Sequence, residues 1–222
     1  MEFSYSSRYN GDFDRVNKIM NEMDTLNMKP TNFVGKVTTS VIECPHIFWT
    51  KLNQTTLATP SQMADTISQV AIDLVKTLNG SVDTRATTTN LGYGQHLFSF
   101  NVVEEIERRL GSWVFIGCNT VAVKVAKVRQ IVTQFIFNWN GYGSSPTGNK
   151  ASLQLWFGSS WVIAGTHTNA TVSKIYTTQT TMINRIQDDG YIHLLANADP
   201  SNGVVASSIS TDYVELILTV KI

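Results

Sequence analysis

Aromatic side chains beside turns are the part of this sequence best suited to bind a ligand. The stretch NWNGYGSSPTGNKASLQLWF, residues 138–157, combines two tryptophans and a tyrosine with asparagines, serines and three glycines. Aromatic faces stack on the C–H surfaces of sugars, and nearby amide, hydroxyl and backbone groups bond sugar hydroxyls. We therefore expect a glycan site among residues in or next to turns, namely Asn140, Tyr142, Asn149 and Trp161.

A structural role is the alternative for the same aromatic residues. Trp139 and Trp156 fall within predicted strands, where large aromatic side chains usually belong to the core or pair across strands. We assign these two residues to the structure. The segment GYGSSPTGN between them supplies the glycines and the proline of a long hairpin connection.

Patterns for other chemistry are weak. Cys44 and His46 are close in sequence, but without a third group they are typical of a buried thiol beside an ordinary histidine. Asp188-Asp189-Gly190 is a turn signature, and the four histidines have no spacing that converges on one metal. The sequence therefore predicts no enzyme, no metal site and no cofactor.

The charge composition limits the classes of partner. Hydrophobic residues make up 42% of the chain and charged residues only 15%, and 17 basic side chains balance 17 acidic ones. No cluster of lysine and arginine marks a nucleic-acid surface or an anionic membrane as a partner. No apolar run reaches the ~20 residues that a membrane-spanning helix needs, and the N-terminus has no secretory signal pattern.

The first thirty residues contain an amphipathic stripe formed by Phe13, Val16, Met20 and Met23. This spacing predicts a short N-terminal helix. The helix either docks on its own domain or forms a bundle around an oligomer axis, and we keep both possibilities. We treat residues 1–30 as an oligomerisation or attachment segment and residues 31–222 as the main domain.

The middle of the chain predicts a mixed helical and strand region. The stretch FVGKVTTSVIECPHIFW predicts one or two strands, and VDTRATTTNLGYGQH a polar loop. Between them, Thr59, Pro60 and Gln62 predict the start of a helix that extends to Leu78. Two further helices are predicted: one is capped by Asn101 and ends before Gly111, and the other carries the apolar spacing Val125, Val128, Ile131 and Val132.

The chain changes period at about residue 133, where helical spacing gives way to alternation. Six alternating segments with turn residues between them extend to the C-terminus. The predicted fold class is mainly β: a C-terminal antiparallel β-sandwich, jelly-roll-like, with its strands mainly in residues 133–222. The mixed region and the short N-terminal helix precede it.

The second half also resembles a known class of protein. NWNGYGSSPTGNKASLQLW and DGYIHLLANADPSNGVVASSISTDYVELILTVKI resemble a β-sandwich module of phage or prophage tail-fibre and minor virion structural proteins of Gram-positive hosts. FVGKVTTSVIECPH and LFSFNVVEEIERRLG resemble the segments that precede that module, so the resemblance begins at about Phe33. It implies a homotrimer that contacts other virion proteins and binds host cell-wall glycan.

Three readings of the function follow. The first is a fibre or tail-tip protein of the virion, made in the host cytoplasm, with a capsid (head) decoration or fibre protein as its close alternative. The second is a stand-alone carbohydrate-binding module, which would bind sugar as a monomer. The third is a fragment of a hydrolase, for which the sequence offers no pair of catalytic carboxylates.

Overall fold

Alternating apolar residues and the turns between them form two antiparallel sheets. The computed structural model describes residues 25–62, 65, 67–180 and 185–222, and these form a mainly β protein. The strands are β1 (Thr25–Asn27), β2 (Ile47–Thr50), β3 (Asp83–Thr87), β4 (Gln95–Asn101), β5 (Val132–Ser144), β6 (Ala151–Phe157), β7 (Ser160–His167), β8 (Ser173–Gln179), β9 (Tyr191–Ala198) and β10 (Ser207–Lys221).

The two sheets share one core. The first sheet has the order β1-β10-β5-β8, with β3 also paired to β10, and the second has the order β2-β4-β9-β6-β7. Phe100 of the second sheet lies 5.5 Å from Phe137 of the first, measured between ring centroids. Apolar residues of both sheets belong to a single buried cluster. The inner faces of the two sheets therefore form this core.

All six strands predicted after residue 133 are present, as β5 to β10. The strands were predicted mainly, and not only, in this half. The sheets also contain earlier strands, since β2 and β4 belong to the second sheet and β1 and β3 pair with β10. The segment VDTRATTTNLGYGQH, predicted as a loop, contains β3. Its polar residues indicated a loop, but residues 83–87 pair with β10, which is more than a hundred residues later in the chain.

The described helices are α1 (Gln69–Val75), α2 (Val102–Leu110) and α3 (Val121–Ile131). The start of α2 follows its sequence signals, since the side chain of Asn101 accepts a hydrogen bond from the backbone N–H of Glu104. Gly111 ends this helix as predicted. In α3 the predicted apolar positions Val125, Val128 and Ile131 are buried.

The helix predicted between Thr59 and Leu78 is much shorter in the structure. The signals at Thr59 and Gln62 close only a 3-10 turn at Pro60–Gln62, in which the N–H of Thr59 donates to the side chain of Gln62 over 2.9 Å. The helix itself begins after Ser68, whose hydroxyl accepts from Ala71 N–H. Leu78, the last residue of the predicted helix, lies beyond α1 and is 57% exposed.

The stretch FVGKVTTSVIECPHIFW forms only the strand β2 at its end. Gly35 and Thr39 have positive φ angles of 78° and 64°, which extended strands do not accommodate. The buried ammonium group of Lys36 donates to the carbonyl groups of Ser40 and Cys44. A charged side chain thus organises this loop in place of strand pairing.

The N-terminal stripe of Phe13, Val16, Met20 and Met23 lies outside the described residues. The described chain begins with β1, and Met28 N–H donates to Leu218 O of β10 over 2.8 Å. Residues 25–28, which the sequence analysis grouped with the N-terminal segment, are thus bonded to the first sheet.

Candidate functional site

The outer face of the second sheet carries a row of aromatic and polar side chains. Strand alternation places Phe48, Phe98 and Leu194 in the core, so their strand neighbours point outward. Ile47 lies opposite Ser99, and Ser99 lies opposite His193. The pairing of β6 with β9 continues this row towards Trp156.

A groove of about 330 Å³ lies along this row. Its volume is at the lower end of the range for small-molecule sites. Its aromatic wall consists of Trp49, Trp156 and Tyr191. The remaining lining residues are Ile47, Pro60, Ser61, Ser99, Gln187, Asp189 and His193.

His193 presents a neutral imidazole to this groove. The hydroxyl of Ser99 lies 2.8 Å from Nδ1, which leaves Nε2 without a partner among the described residues. The ring of Tyr191 stacks on that of His193 at 6.0 Å with an interplanar angle of 10°. Burial lowers the pKa of His193 to about 4, so the ring is uncharged at neutral pH and offers hydrogen bonds without a positive charge.

Trp161 supports the groove from behind. Its ring meets that of Trp156 edge-on, with centroids 5.0 Å apart. Its indole N–H donates to Ala58 O over 3.0 Å, and Ala58 N–H donates to the side chain of Gln95 over 3.0 Å. These bonds fasten the segment before Pro60 across the outer face of the sheet.

The turn at Pro60–Gln62 and the turn at Asp188–Gly190 place the polar walls. Pro60 and Ser61 belong to the first turn. In the second, Gly190 has a φ angle of 85° and its N–H donates to Gln187 O over 3.0 Å. Asp189 accepts the N–H of Tyr191 over 3.0 Å. The predicted Asp-Asp-Gly turn is thus confirmed, and it positions both Gln187 and Asp189.

The structure does not gather the residues that the sequence predicted as a glycan site. Tyr142 was predicted in or beside a turn but lies half-buried within β5, opposite Ser210. Asn140 is buried in the same strand, and Asn149 is exposed after the turn that follows it. Trp161 pairs with Trp156, which lies five residues after Ala151, the first residue of β6. At the usual rise per residue, this places Trp161 about 17 Å from the end of β6 that follows Asn149.

Trp139 and Trp156 were both predicted to have a structural role. Trp139 is fully buried and its indole N–H donates to the hydroxyl of Thr211, so its structural role is confirmed. Trp156 is a cross-strand partner of Trp161, as expected, but it is also half-buried and lines the groove.

The sequence analysis missed Trp49 and Tyr191 as groove residues. The alternation in IFWT and YIHL places each of them on the outward face once the inward residues are known. Alternation alone does not show that β2 and β9 lie in the same sheet. The strand pairing that joins them through β4 was the missing information.

Cys44 and His46 line a second cavity, of about 410 Å³. The side chains of both residues form hydrogen bonds within the protein. Nε2 of His46 is 2.9 Å from the hydroxyl of Thr31 and 3.5 Å from Glu105, while Nδ1 accepts from Asn101 N–H. Burial raises the pKa of Cys44, whose Sγ donates to Asn32 O. Both ring nitrogens are therefore engaged, and the thiol is held protonated.

The described residues show neither a metal site nor a membrane-spanning helix. Among the described residues, no group of three or more His, Cys, Asp or Glu side chains could hold a metal ion. None of the helices in the described ranges has the length and apolar character to cross a membrane. No model of a known protein family matches the chain, and no curated protein is similar to it in sequence.

Proposed function

We propose that this protein is a virion structural protein that displays its second sheet outward and binds glycan in the groove on that sheet. The observation that carries the proposal is the groove itself, in which Trp49, Trp156 and Tyr191 surround hydrogen-bonding groups. Flat aromatic faces pack against sugar rings, and the polar groups between them fix the orientation of the hydroxyls.

The strand order supports a jelly-roll topology within this proposal. Eight strands follow the orders β3-β10-β5-β8 and β4-β9-β6-β7 in the two sheets. A jelly roll consists of two such four-stranded sheets, built from two Greek keys, and it occurs in viral capsid and lectin domains. This is an analogy at the level of the fold, and the proposed function depends on the groove rather than on the topology.

The proposal assigns binding and not catalysis to the groove. Asp189 is the one carboxylate that lines it among the described residues. Hydrolysis of a glycosidic bond generally uses two carboxylates on opposite sides of the scissile bond. A bound sugar would therefore meet aromatic faces, Ser99 and His193 without a pair of acid and base groups.

The assembly that we propose is a homotrimer in contact with other virion proteins. The support is the resemblance to tail-fibre and minor virion modules together with the N-terminal stripe at Phe13, Val16, Met20 and Met23. The protein would be made in the host cytoplasm and carried outside by the particle. Several copies on one axis would multiply a weak affinity for cell-surface glycan.

Alanine substitutions in the groove test the glycan-binding proposal. We expect Trp49→Ala and Trp156→Ala each to weaken glycan binding by about 1–3 kcal/mol, as aromatic truncations at binding sites do. Trp113→Ala is the matched control, because Trp113 is 54% exposed and does not line the groove. Calorimetric titration of all three variants with an oligosaccharide that the wild type binds measures the difference.

Equal weakening in all three variants, or none in the groove variants, would contradict the proposal. Thermal melts of the same variants separate lost binding from lost folding. Tyr142→Ala is a useful fourth variant, since the sequence prediction places the site there and the groove proposal expects no loss.

A capsid (head) component is a second candidate, which the strand order favours. Labelling the protein in intact particles distinguishes the two candidates by electron microscopy. Label over the whole head favours the capsid component, and label at the tail tip favours the fibre.

A further inference from the structure

The groove is lined by a carboxylate side chain. Asp189 is the single charged side chain that lines it among the described residues. Its Oδ1 accepts the N–H of Tyr191, and its Oδ2 has no hydrogen-bond partner in the described part of the chain. The side chain is exposed and so can meet a ligand.

Three cationic side chains that are close in sequence to groove residues or bonded to their neighbours contact other groups in the described structure, and Nε of Arg185 has no hydrogen-bond partner there. Arg129 donates to Ile186 O over 3.0 Å and to Asp188 over 2.8 Å. The guanidinium of Arg185 stacks on the ring of Phe157 at 4.9 Å. Lys51, which follows β2, is paired with Asp65 at 3.2 Å. Residues 63, 64, 66 and 181–184, which the structure does not describe, have no charged side chain in the sequence, whereas residues 1–24, also outside the described ranges, include Arg8, Arg15 and Lys18.

The carboxylate of Asp189 acts on the other groove residues. It contributes to the raised pKa of Tyr191, after burial, and it opposes the fall of the His193 pKa that burial causes. His193 is neutral at pH 7 and cannot balance the charge. A ligand in the groove therefore meets the negative charge of Asp189 beside a neutral imidazole.

We propose, on the premise that the groove binds glycan, that it selects uncharged and amino-substituted oligosaccharides over anionic ones, and that Asp189 is the residue that determines this selectivity. An ammonium substituent on the sugar gains an opposite charge at Asp189. Carboxylate or phosphodiester groups meet a like charge, and none of the described residues that line the groove is cationic. Wall polymers rich in phosphate are thus excluded, and neutral or amino-sugar polymers are accepted.

Three trisaccharides of equal length test the selectivity: chitotriose, the glucosamine trimer and trigalacturonic acid. At pH 6.0 and low salt, we expect the wild type to bind the glucosamine trimer at least fivefold more tightly than chitotriose, and trigalacturonic acid at least tenfold more weakly. Both ratios should shrink as salt is added, because the interaction is between exposed charges. Calorimetric titration gives the three dissociation constants.

Asp189→Asn isolates the charge, since the amide oxygen can still accept the N–H of Tyr191. We expect the variant to lose both preferences, so that its dissociation constants for the glucosamine trimer and for trigalacturonic acid both approach the one it has for chitotriose. Asp73→Asn is the control for net charge, because Asp73 lies on α1 and does not line the groove. It should keep both preferences.

The outcomes distinguish the selectivity from the underlying function. Tight binding of trigalacturonic acid that Trp156→Ala abolishes would overturn the selectivity and leave glycan binding intact. Unchanged preferences in Asp189→Asn would overturn the role of Asp189. Failure of the wild type to bind any of the three, or any wider set of neutral oligosaccharides, would overturn the function and the selectivity together.

Discussion

Thr211 connects the two sheets through its hydroxyl group. The indole N–H of Trp139 donates to Oγ1 over 2.9 Å, and the same oxygen lies 2.9 Å from Nδ1 of His96. Nε2 of His96 lies 3.1 Å from Asp83. With the indole as donor, the hydroxyl hydrogen is directed to Nδ1, and the N–H of the imidazole then faces the carboxylate. All of these polar groups are at least nine-tenths buried.

We expect Thr211→Val to lower the free energy of unfolding by about 2–4 kcal/mol. The substitution keeps the shape of the side chain but leaves two buried polar groups unpaired, each at a cost of about 1–3 kcal/mol. Thr166→Val on the exposed side of β7 is the control and should change stability by less than about 0.5 kcal/mol. Urea unfolding of both variants measures the difference, and equal effects would contradict the bonded chain.

Buried histidines make the protein less stable in mild acid. Burial lowers the pKa of His193 to about 4 from an ordinary value of 6.5, and it also lowers those of His46 and His96. The unfolded chain therefore binds more protons than the folded chain between pH 6.5 and 4. The stability that the neutral ring of His193 contributes is complete above pH 6.5 and is lost as the pH falls through this window.

From pH 7 to pH 5, we expect His193 alone to reduce the free energy of unfolding by about 2 kcal/mol. Glu105 does not offset this change. Burial opposes its charged form, but contacts with His46 and Arg109 outweigh burial and hold its pKa at about 2, below the window. Urea titrations at both pH values measure the loss. His193→Gln should show a smaller dependence on pH than the wild type, and an identical one would contradict the assignment.

Strand β5 shows how close packing determines the use of glycine. The sequence places Gly141 and Gly143 in a turn, but both lie in the strand. A Cβ atom on Gly141 would lie 2.1 Å from Ser210 O and 2.4 Å from the ring of Trp139. The glycine is therefore required by the approach of β10 and the indole, and not by a left-handed backbone conformation.

Gly141→Ala should destabilise the protein by about 3 kcal/mol or more, because backbone and a buried ring must both move. Gly158→Ala is the matched control. Gly158 has a φ angle of 63° with open space around it, so its substitution should cost only about 1–2 kcal/mol of backbone strain. Thermal melting compares the two variants. A larger loss of stability in Gly158→Ala than in Gly141→Ala would contradict the claim that close packing makes Gly141 the more costly position to substitute.

The helices show which local signals can be trusted. Asn101 and Gly111 define α2 because a cap is satisfied by backbone groups within one turn of the chain. The equally good signal at Thr59 and Gln62 closed only a 3-10 turn. Asp65 forms an isolated β-bridge with Thr50, so a tertiary contact interrupts the predicted helix. Local capping chemistry specifies a start and not a length.

At the scale of the whole molecule, the proposed trimer is open to a direct test. We expect Met20→Glu to weaken assembly, because a charge in the apolar stripe must be desolvated if copies of the chain cover it. Asn21→Glu adds the same charge beside the stripe and is the control. Light scattering at micromolar concentration measures the oligomeric state. A wild-type monomer would contradict the trimer, and equal behaviour of the two variants would remove the stripe from the interface.

The sequence by itself determined the class of fold and the local elements of its second half. The change to an alternating period at about residue 133 and the turns that follow gave six strands, because alternation records which side of a strand is buried. It also separated Trp139, which lies in the core, from residues of the surface. For the site, it supplied the residue types, aromatic rings beside hydrogen-bonding groups, at positions other than those that line the groove.

Only the tertiary structure decided which of these residues share a surface. The groove draws Trp49 from β2, Trp156 from β6 and Tyr191 from β9, and the nearest two of these along the chain are 35 residues apart, from 156 to 191. Period and capping are local properties, whereas strand order depends on burial summed over the whole chain. Tyr142 lies in β5 of the first sheet, opposite Ser210, whereas Trp161 lies in β7 of the second sheet, opposite Trp156, so strand order places these two predicted site residues in different sheets.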